Sequence, residues 1–118
     1  MADGFDIAGI DDVIHGRLRL GIMAYLSGAG GADFNELKRK LQASDGNLSV
    51  QLRKLEEAGY VAIAKSFVNR KPLTRVALTE VGRAAFMNYL GAIEKLLTDH
   101  GERVYGEKVH GERVEEEK

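Results

Sequence analysis

Apolar residues recur along this chain with two different periods, and the change of period marks its elements. Ile14, Leu18, Ile22 and Tyr25/Leu26 return every three or four residues, which puts them on one face of a helix over about residues 12–26. The glycine-rich run SGAGG at 27–31 ends that helix. Phe34, Leu37 and Leu41 make the stripe of a second, short helix. Asp33 is placed to cap it, with Glu36 three residues on completing a capping box. Leu48, Leu52 and Leu55 form the seam of a third helix that starts after Ser44, runs to about residue 58 and is stopped by Gly59. The period then shortens. Residues 60–64 are β-prone, and residues 73–78 alternate apolar and polar side chains. Between them the stretch Asn69, Arg70, Lys71 and Pro72 reads as a basic turn. Thr79 then caps a long last helix over about residues 80–97.

Helix, turn, helix, strand, loop, strand is the layout of a winged helix-turn-helix, a mainly α fold with a small β-hairpin wing. The second helix of such a pair commonly enters the DNA major groove. With Leu48, Leu52 and Leu55 turned inward, the opposite side carries Gly46, Asn47, Ser49, Val50, Arg53 and Lys54, with Ser44 at its start. Small residues let a helix approach closely. Asn can read adenine, Arg or Lys can reach guanine or phosphate, and Val50 can touch a thymine methyl. A solvated helix face must be polar too. What sets this one apart is its lack of bulk in the N-terminal half, where a groove-reading helix needs clearance. Glu57 shares the side but lies at the C-terminal end. Lys65, Arg70, Lys71 and Arg75 gather on or beside the hairpin, which is the pattern of a wing that lies along the backbone or in the minor groove.

Charge sharpens this picture. The net charge is −1, but residues 13–83 hold 12 Lys/Arg against 6 Asp/Glu, whereas residues 1–12 hold four Asp and no Lys or Arg. A basic middle between acidic ends points to a polyanionic partner. The 118 residues contain no Cys, which removes disulfides, thiolate zinc sites and cysteine nucleophiles. No run is long and apolar enough to span a membrane, and the opening is acidic, so a cytoplasmic protein without membrane contact is expected. His15, His100 and His110 lack ligand spacing, no glycine run precedes a Lys-Ser/Thr pair, and no acids converge. No metal, no cofactor and no catalytic set is expected.

The last helix carries two apolar stripes. One is Val81, Ala85, Tyr89, Ala92 and Leu96; the other is Phe86, Leu90, Ile93 and Leu97. Their combined width exceeds what docking on one small domain needs, so a dimer interface is expected at Val81, Ala85, Phe86, Tyr89, Leu90, Ile93 and Leu97. Phe5, Ile7 and Ile10 could add to it. The alternative is a helix wedged into its own core. The expected organisation is an arm at 1–11, the DNA-binding and dimerisation domain at 12–98, and a charged tail at 99–118. That tail holds a five-residue repeat (GERVY, GEKVH, GERVE at 101–115) whose spaced glycines oppose a helix, and it is expected to be loosely ordered.

Four pieces together resemble a winged helix transcriptional regulator of the MarR-like type: RLRLGIMAYL at 17–26, ASDGNLS at 43–49, LRKLEEAGYV at 52–61 and LTEVGR at 78–83. Within that group the chain is similar to compact members with little beyond the DNA-binding domain. The resemblance implies a homodimer on double-stranded DNA, with the third helix in the major groove and the wing on the flanking backbone. It names no small-molecule effector. The rival expectation is a winged helix used as a protein-interaction module, since fold alone does not dictate function.

Overall fold

The computed structural model describes residues 7–101. In chain order the elements are α1 (Arg17–Ala29), β1 (Gly31–Asp33), α2 (Phe34–Leu41), α3 (Asp45–Glu57), β2 (Val61–Val68), β3 (Lys71–Leu78) and α4 (Glu80–Gly101), preceded by one 3-10 turn at Ile7–Gly9. Residues 11–87 form one compact unit. Residues 7–10 and 88–101 belong to a second, in which the 3-10 turn runs close to α4: a Cβ on Gly9 would stand 3.7 Å from the Ala92 Cβ. The first three residues expected in the tail, 99–101, belong to α4, while Phe5 and the tail beyond residue 101 lie outside the described residues. Among those residues, no helix is long and apolar enough to cross a membrane.

Local capping chemistry fixes where the helices start. The Asp33 carboxylate accepts from the Glu36 amide at 2.8 Å, the Ser44 hydroxyl accepts from the Asn47 amide at 3.1 Å, and the Thr79 hydroxyl accepts from the Gly82 amide at 2.8 Å. The capping box at α2 is only half formed, because the Glu36 carboxylate accepts from the Tyr25 hydroxyl instead of reaching back to its own cap. Gly59 closes α3 with φ +83, a left-handed value that any Cβ would make costly. Gly82 answers a different demand. A Cβ there would collide with the Tyr60 carbonyl, so glycine lets the first turn of α4 lie directly on the backbone entering β2.

Helix α1 starts five residues later than its apolar period predicts. The Asp11 side chain accepts from the amides of Val13 at 2.8 Å and Ile14 at 3.3 Å, and Gly16 is extended. A short polar side chain thus ties the backbone into a turn that competes with helix. Ile14 is still fully buried, but it reaches the core from that turn. Helix α4 runs four residues beyond its expected end.

The sheet is antiparallel with strand order β1-β3-β2. Its third strand, β1, has no pattern in the sequence and exists through pairing of Gly31, Ala32 and Asp33 with Ala77, Val76 and Arg75. Strands β2 and β3 pair along their whole length, from Val61 opposite Leu78 to Val68 opposite Lys71. The turn is therefore Asn69-Arg70 alone, not a four-residue tip, and both residues have positive φ (53 and 67). Paired positive φ values suit the right-handed twist of a tight hairpin. Pro72 is tolerated because β1 stops at the Arg75 level, leaving β3 with a single neighbour there. The core of the unit joins Ile22, Met23 and Leu26 of α1 with Leu37 of α2, Leu48, Leu52 and Leu55 of α3, and Val61 and Val76 of the sheet.

The Tyr60 hydroxyl donates to Asp11 at 2.6 Å, which pins the turn before α1 to the start of β2. Bonding to that carboxylate, then partial burial and the carboxylate's charge, push the Tyr60 phenol up to about 12. The Tyr25 phenol is also raised, first by its bond to Glu36. A folded-state pKa above the unfolded value gives stability that is complete below the ordinary phenol pKa and is lost as pH rises through the folded one. Tyr60→Phe should therefore cost about 1 kcal/mol at neutral pH. The gap to wild type should close between about pH 10 and 12. Urea unfolding of both proteins across that range checks this; a gap independent of pH would place the cost in packing rather than in the hydrogen bond.

Candidate nucleic-acid interface

Helix α3 turns Leu48, Leu52 and Leu55 into the core, and Ser44, Gly46, Asn47, Ser49, Val50, Arg53 and Lys54 are all exposed. The Ser44 hydroxyl is occupied as the helix cap. The other residues divide over two flanks. Ser49 and Arg53 line a groove with Lys65 and Thr74 of the hairpin. Asn47 lies on the other flank, beside Arg17, Arg19 and Gln51. Val50, half exposed at 51%, projects between the two.

That second flank holds an arrangement not foreseen from sequence. The Arg19 guanidinium donates to the Val13 and Asp12 carbonyls and to Gln51 Oε1, and Gln51 Nε2 donates to Asn47 Oδ1 at 3.0 Å. Arg19 thus fixes Gln51, and Gln51 fixes Asn47. With Oδ1 accepting from Gln51, the exposed Asn47 keeps its Nδ2 hydrogens to donate, which suits an acceptor such as a purine N7 or a phosphate oxygen. Oδ1 keeps a second lone pair, so Asn47 could still read adenine at two points while Gln51 holds its amide in place. The sequence signal for this pair is its i, i+4 spacing on one helix.

Strand register sorts the four wing cations. Lys65 and Thr74 are paired on the same face as Ile63 and Val76, so Lys65 looks into the groove beside α3. Arg75 pairs with Ala64 on the opposite face and sits across from Asp33 of β1. Arg70 is the second residue of the turn, and Lys71 follows it on the face of Arg75. All four are exposed, and no acidic residue occurs between Gly59 and Thr79. The ion pair seen among the described residues is elsewhere, between Lys38 of α2 and Asp45 of α3 at 2.8 Å, and its exposure makes it weak. Arg70 breaks a local rule. The tight turn favours Asn-Gly, and a non-glycine residue at φ 67 stores backbone strain.

On α4, Phe86 and Tyr89 are buried within the single chain, and Ala85 and Ile93 are half-buried. Val81, Leu90 and Leu97 are exposed, at 60%, 42% and 55%. The apolar surface left open is thus narrower than the two full stripes, and Met87, which the stripes did not include, extends the rank of Leu90, Ile93 and Leu97.

A three-helix core with a helix-turn-helix and a basic two-stranded wing defines a winged helix DNA-binding domain. The model of the family described as "Winged helix DNA-binding domain" matches residues 18–97, and the chain belongs to that family. It is 40% identical over 84 residues to an uncharacterized protein of Methanocaldococcus jannaschii, spanning 71% of this chain and 91% of that one. It is similar to the transcriptional regulator homologue protein of Pyrococcus horikoshii OT3, with 28% identity, a TM-score of 0.73, and coverage of 82% of this chain and 95% of that one. The fold also matches overoxidized AbfR bound to DNA, at 22% identity and a TM-score of 0.58, over 79% of this chain and 68% of that one.

Proposed function

We propose that the protein is a sequence-specific regulator of transcription that binds double-stranded DNA as a homodimer. Helix α3 enters the major groove, and the hairpin lies along the flanking backbone or in the adjacent minor groove. The observation that carries this reading is the electrostatics of the hairpin and α3 together. Lys65, Arg70, Lys71 and Arg53 are exposed and have no ion-pair partner among the described residues, and they surround a helix whose first turns are small and polar. The strain at Arg70 adds to it, because a cation held where glycine would be easier is explained by what the cation contacts. The Pyrococcus horikoshii likeness and the structure of AbfR on DNA support the same role.

Reading and anchoring separate by mutation. Asn47→Ala or Arg53→Ala should relax base preference, at about 1–3 kcal/mol per lost base contact. Arg70→Gly should do the opposite. It relieves the turn, so thermal stability should hold or rise, yet binding to all sequences should weaken and the salt slope should fall by about one. Selection from a random duplex pool, followed by binding isotherms, tests this. Specificity lost through Arg70 but kept through Asn47 and Arg53 would reverse the two roles.

A further inference from the structure

We propose, building on the DNA-binding reading above, that Phe67 is an apolar wedge which the wing carries into the minor groove, where it bends the duplex. Phe67 is 74% exposed, more than any other large apolar residue among those described. Lone exposed apolar residues need no explanation. This one has company: Val68 is 51% exposed, and Pro72, the cross-strand partner of Phe67, is exposed as well. The tip of the hairpin is therefore apolar at its flanks and cationic at its turn.

Position and stiffness fit a groove. Phe67 lies two residues before the turn, roughly 7 Å from it at about 3.3 Å per residue, so the hairpin would present the ring by lying along the groove with its Phe67 face down, not by entering tip first. The ladder is paired throughout and closed by a two-residue turn, so the ring is presented on a rigid support. Phe67 is also on the face of the hairpin shared by Lys65 and the groove beside α3. That face carries Val61 and Val76 onto the core and is open at Phe67, and the wedge requires the open part to turn toward the duplex.

Charge selects the occupant. Strands β2 and β3 with their turn hold four cations and no acid. An apolar protein surface would have no use for those cations, and a free phosphate would have none for the phenyl ring. A nucleic-acid groove offers both, with phosphates along its walls and deoxyribose and base planes inside. Apolar side chains inserted there partly unstack a base step and kink DNA by about 20–90°. The cost is least at pyrimidine–purine steps, so Phe67 would add sequence preference at a position it reads only through deformability.

The test uses the full chain. Wild-type protein selects duplexes from a random pool of about 30 base pairs at about 50 mM salt. Wild type, Phe67→Ala, Phe67→Leu and Arg70→Gly are then titrated on the selected duplex, with bending read by end-to-end energy transfer and self-association by sedimentation. Phe67→Ala should bind about tenfold more weakly, lose the bend and keep the salt slope, with Phe67→Leu in between. In a parallel selection with Phe67→Ala, the enrichment of flexible steps at the flank expected for wild type should disappear. Phe67 is exposed, so these variants leave the core intact. Wild-type affinity and bending in Phe67→Ala would overturn the wedge and leave DNA binding standing. Altered sedimentation with unchanged DNA binding would overturn it in favour of a protein contact. A wild type that retains no duplex would overturn both readings.

Discussion

Affinity for duplex DNA is expected to fall by about 10³-fold or more between about 50 and 200 mM salt, because roughly six to ten phosphate contacts per dimer would release their counterions on binding. The cations expected to supply them are those without an ion-pair partner among the described residues. Lys65, Arg70 and Lys71 on the hairpin and Arg53 and Lys54 on α3 are all exposed, and Arg17 stands beside the Asn47 flank. Arg19 is excluded, since its guanidinium is spent on Gln51 and on backbone carbonyls. Asp45 is partly neutralised by Lys38, Glu57 stays exposed at the far end of α3, and Glu56 lines the groove with Arg53 and Lys65, where it offsets part of their charge. Anisotropy titrations of a selected duplex over a salt series give the slope directly. A slope corresponding to one or two contacts would mean that the hairpin cations face solvent and not DNA, and it would favour the protein-interaction module. Arg75 makes a finer point. It faces away from α3 and across from Asp33, so Arg75→Ala should change the slope less than Arg70→Gly.

Those distinctions show which parts of the molecule could be read from sequence and which could not. Helix starts were legible at Asp33, Ser44 and Thr79, because capping is a matter between residues three apart. The inward seam of α3 was legible for the same reason of short range. The start of α1 was not: Ile14, Leu18 and Ile22 keep a helical period, yet the Asp11 side chain and extended Gly16 take the first of them into a turn. Strand β1 was invisible, since Gly31, Ala32 and Asp33 become a strand only beside residues 75–77. The full length of the hairpin is not legible in the sequence for a related reason. Ser66, Lys71 and Pro72 carry little β pattern, and it is pairing that extends both strands to the turn. At the candidate site the residue types were legible but not their grouping. Which wing cation shares a face with α3 depends on register, and a slip of one residue exchanges the faces. The link from Arg19 through Gln51 to Asn47 crosses from α1 to α3, a contact no local pattern encodes.

Leu90→Glu is expected to yield a folded monomer whose affinity for the selected duplex is lower by about 10²–10⁴-fold, although every DNA-facing residue is intact. In the homodimer reading, two copies of α3 would engage half-sites one helical turn apart, about 34–36 Å, and the second contact would gain from being intramolecular. Leu90 is the informative position because it is 42% exposed in the single chain, whereas Phe86 and Tyr89 are buried. A charge at Phe86 or Tyr89 would unfold the protein and say nothing about assembly. A charge at Leu90 tests the rank of Leu90, Ile93 and Leu97 as a self-complementary surface, since a twofold interface would place each carboxylate near its partner's apolar stripe. Sedimentation measures the association state, circular dichroism checks the fold, and binding to the full site and to an isolated half-site completes the comparison. The mutant should bind both duplexes alike, while wild type should prefer the full site strongly. A wild type that sediments as a monomer, or a Leu90→Glu variant that stays dimeric, would move the interface off α4 altogether.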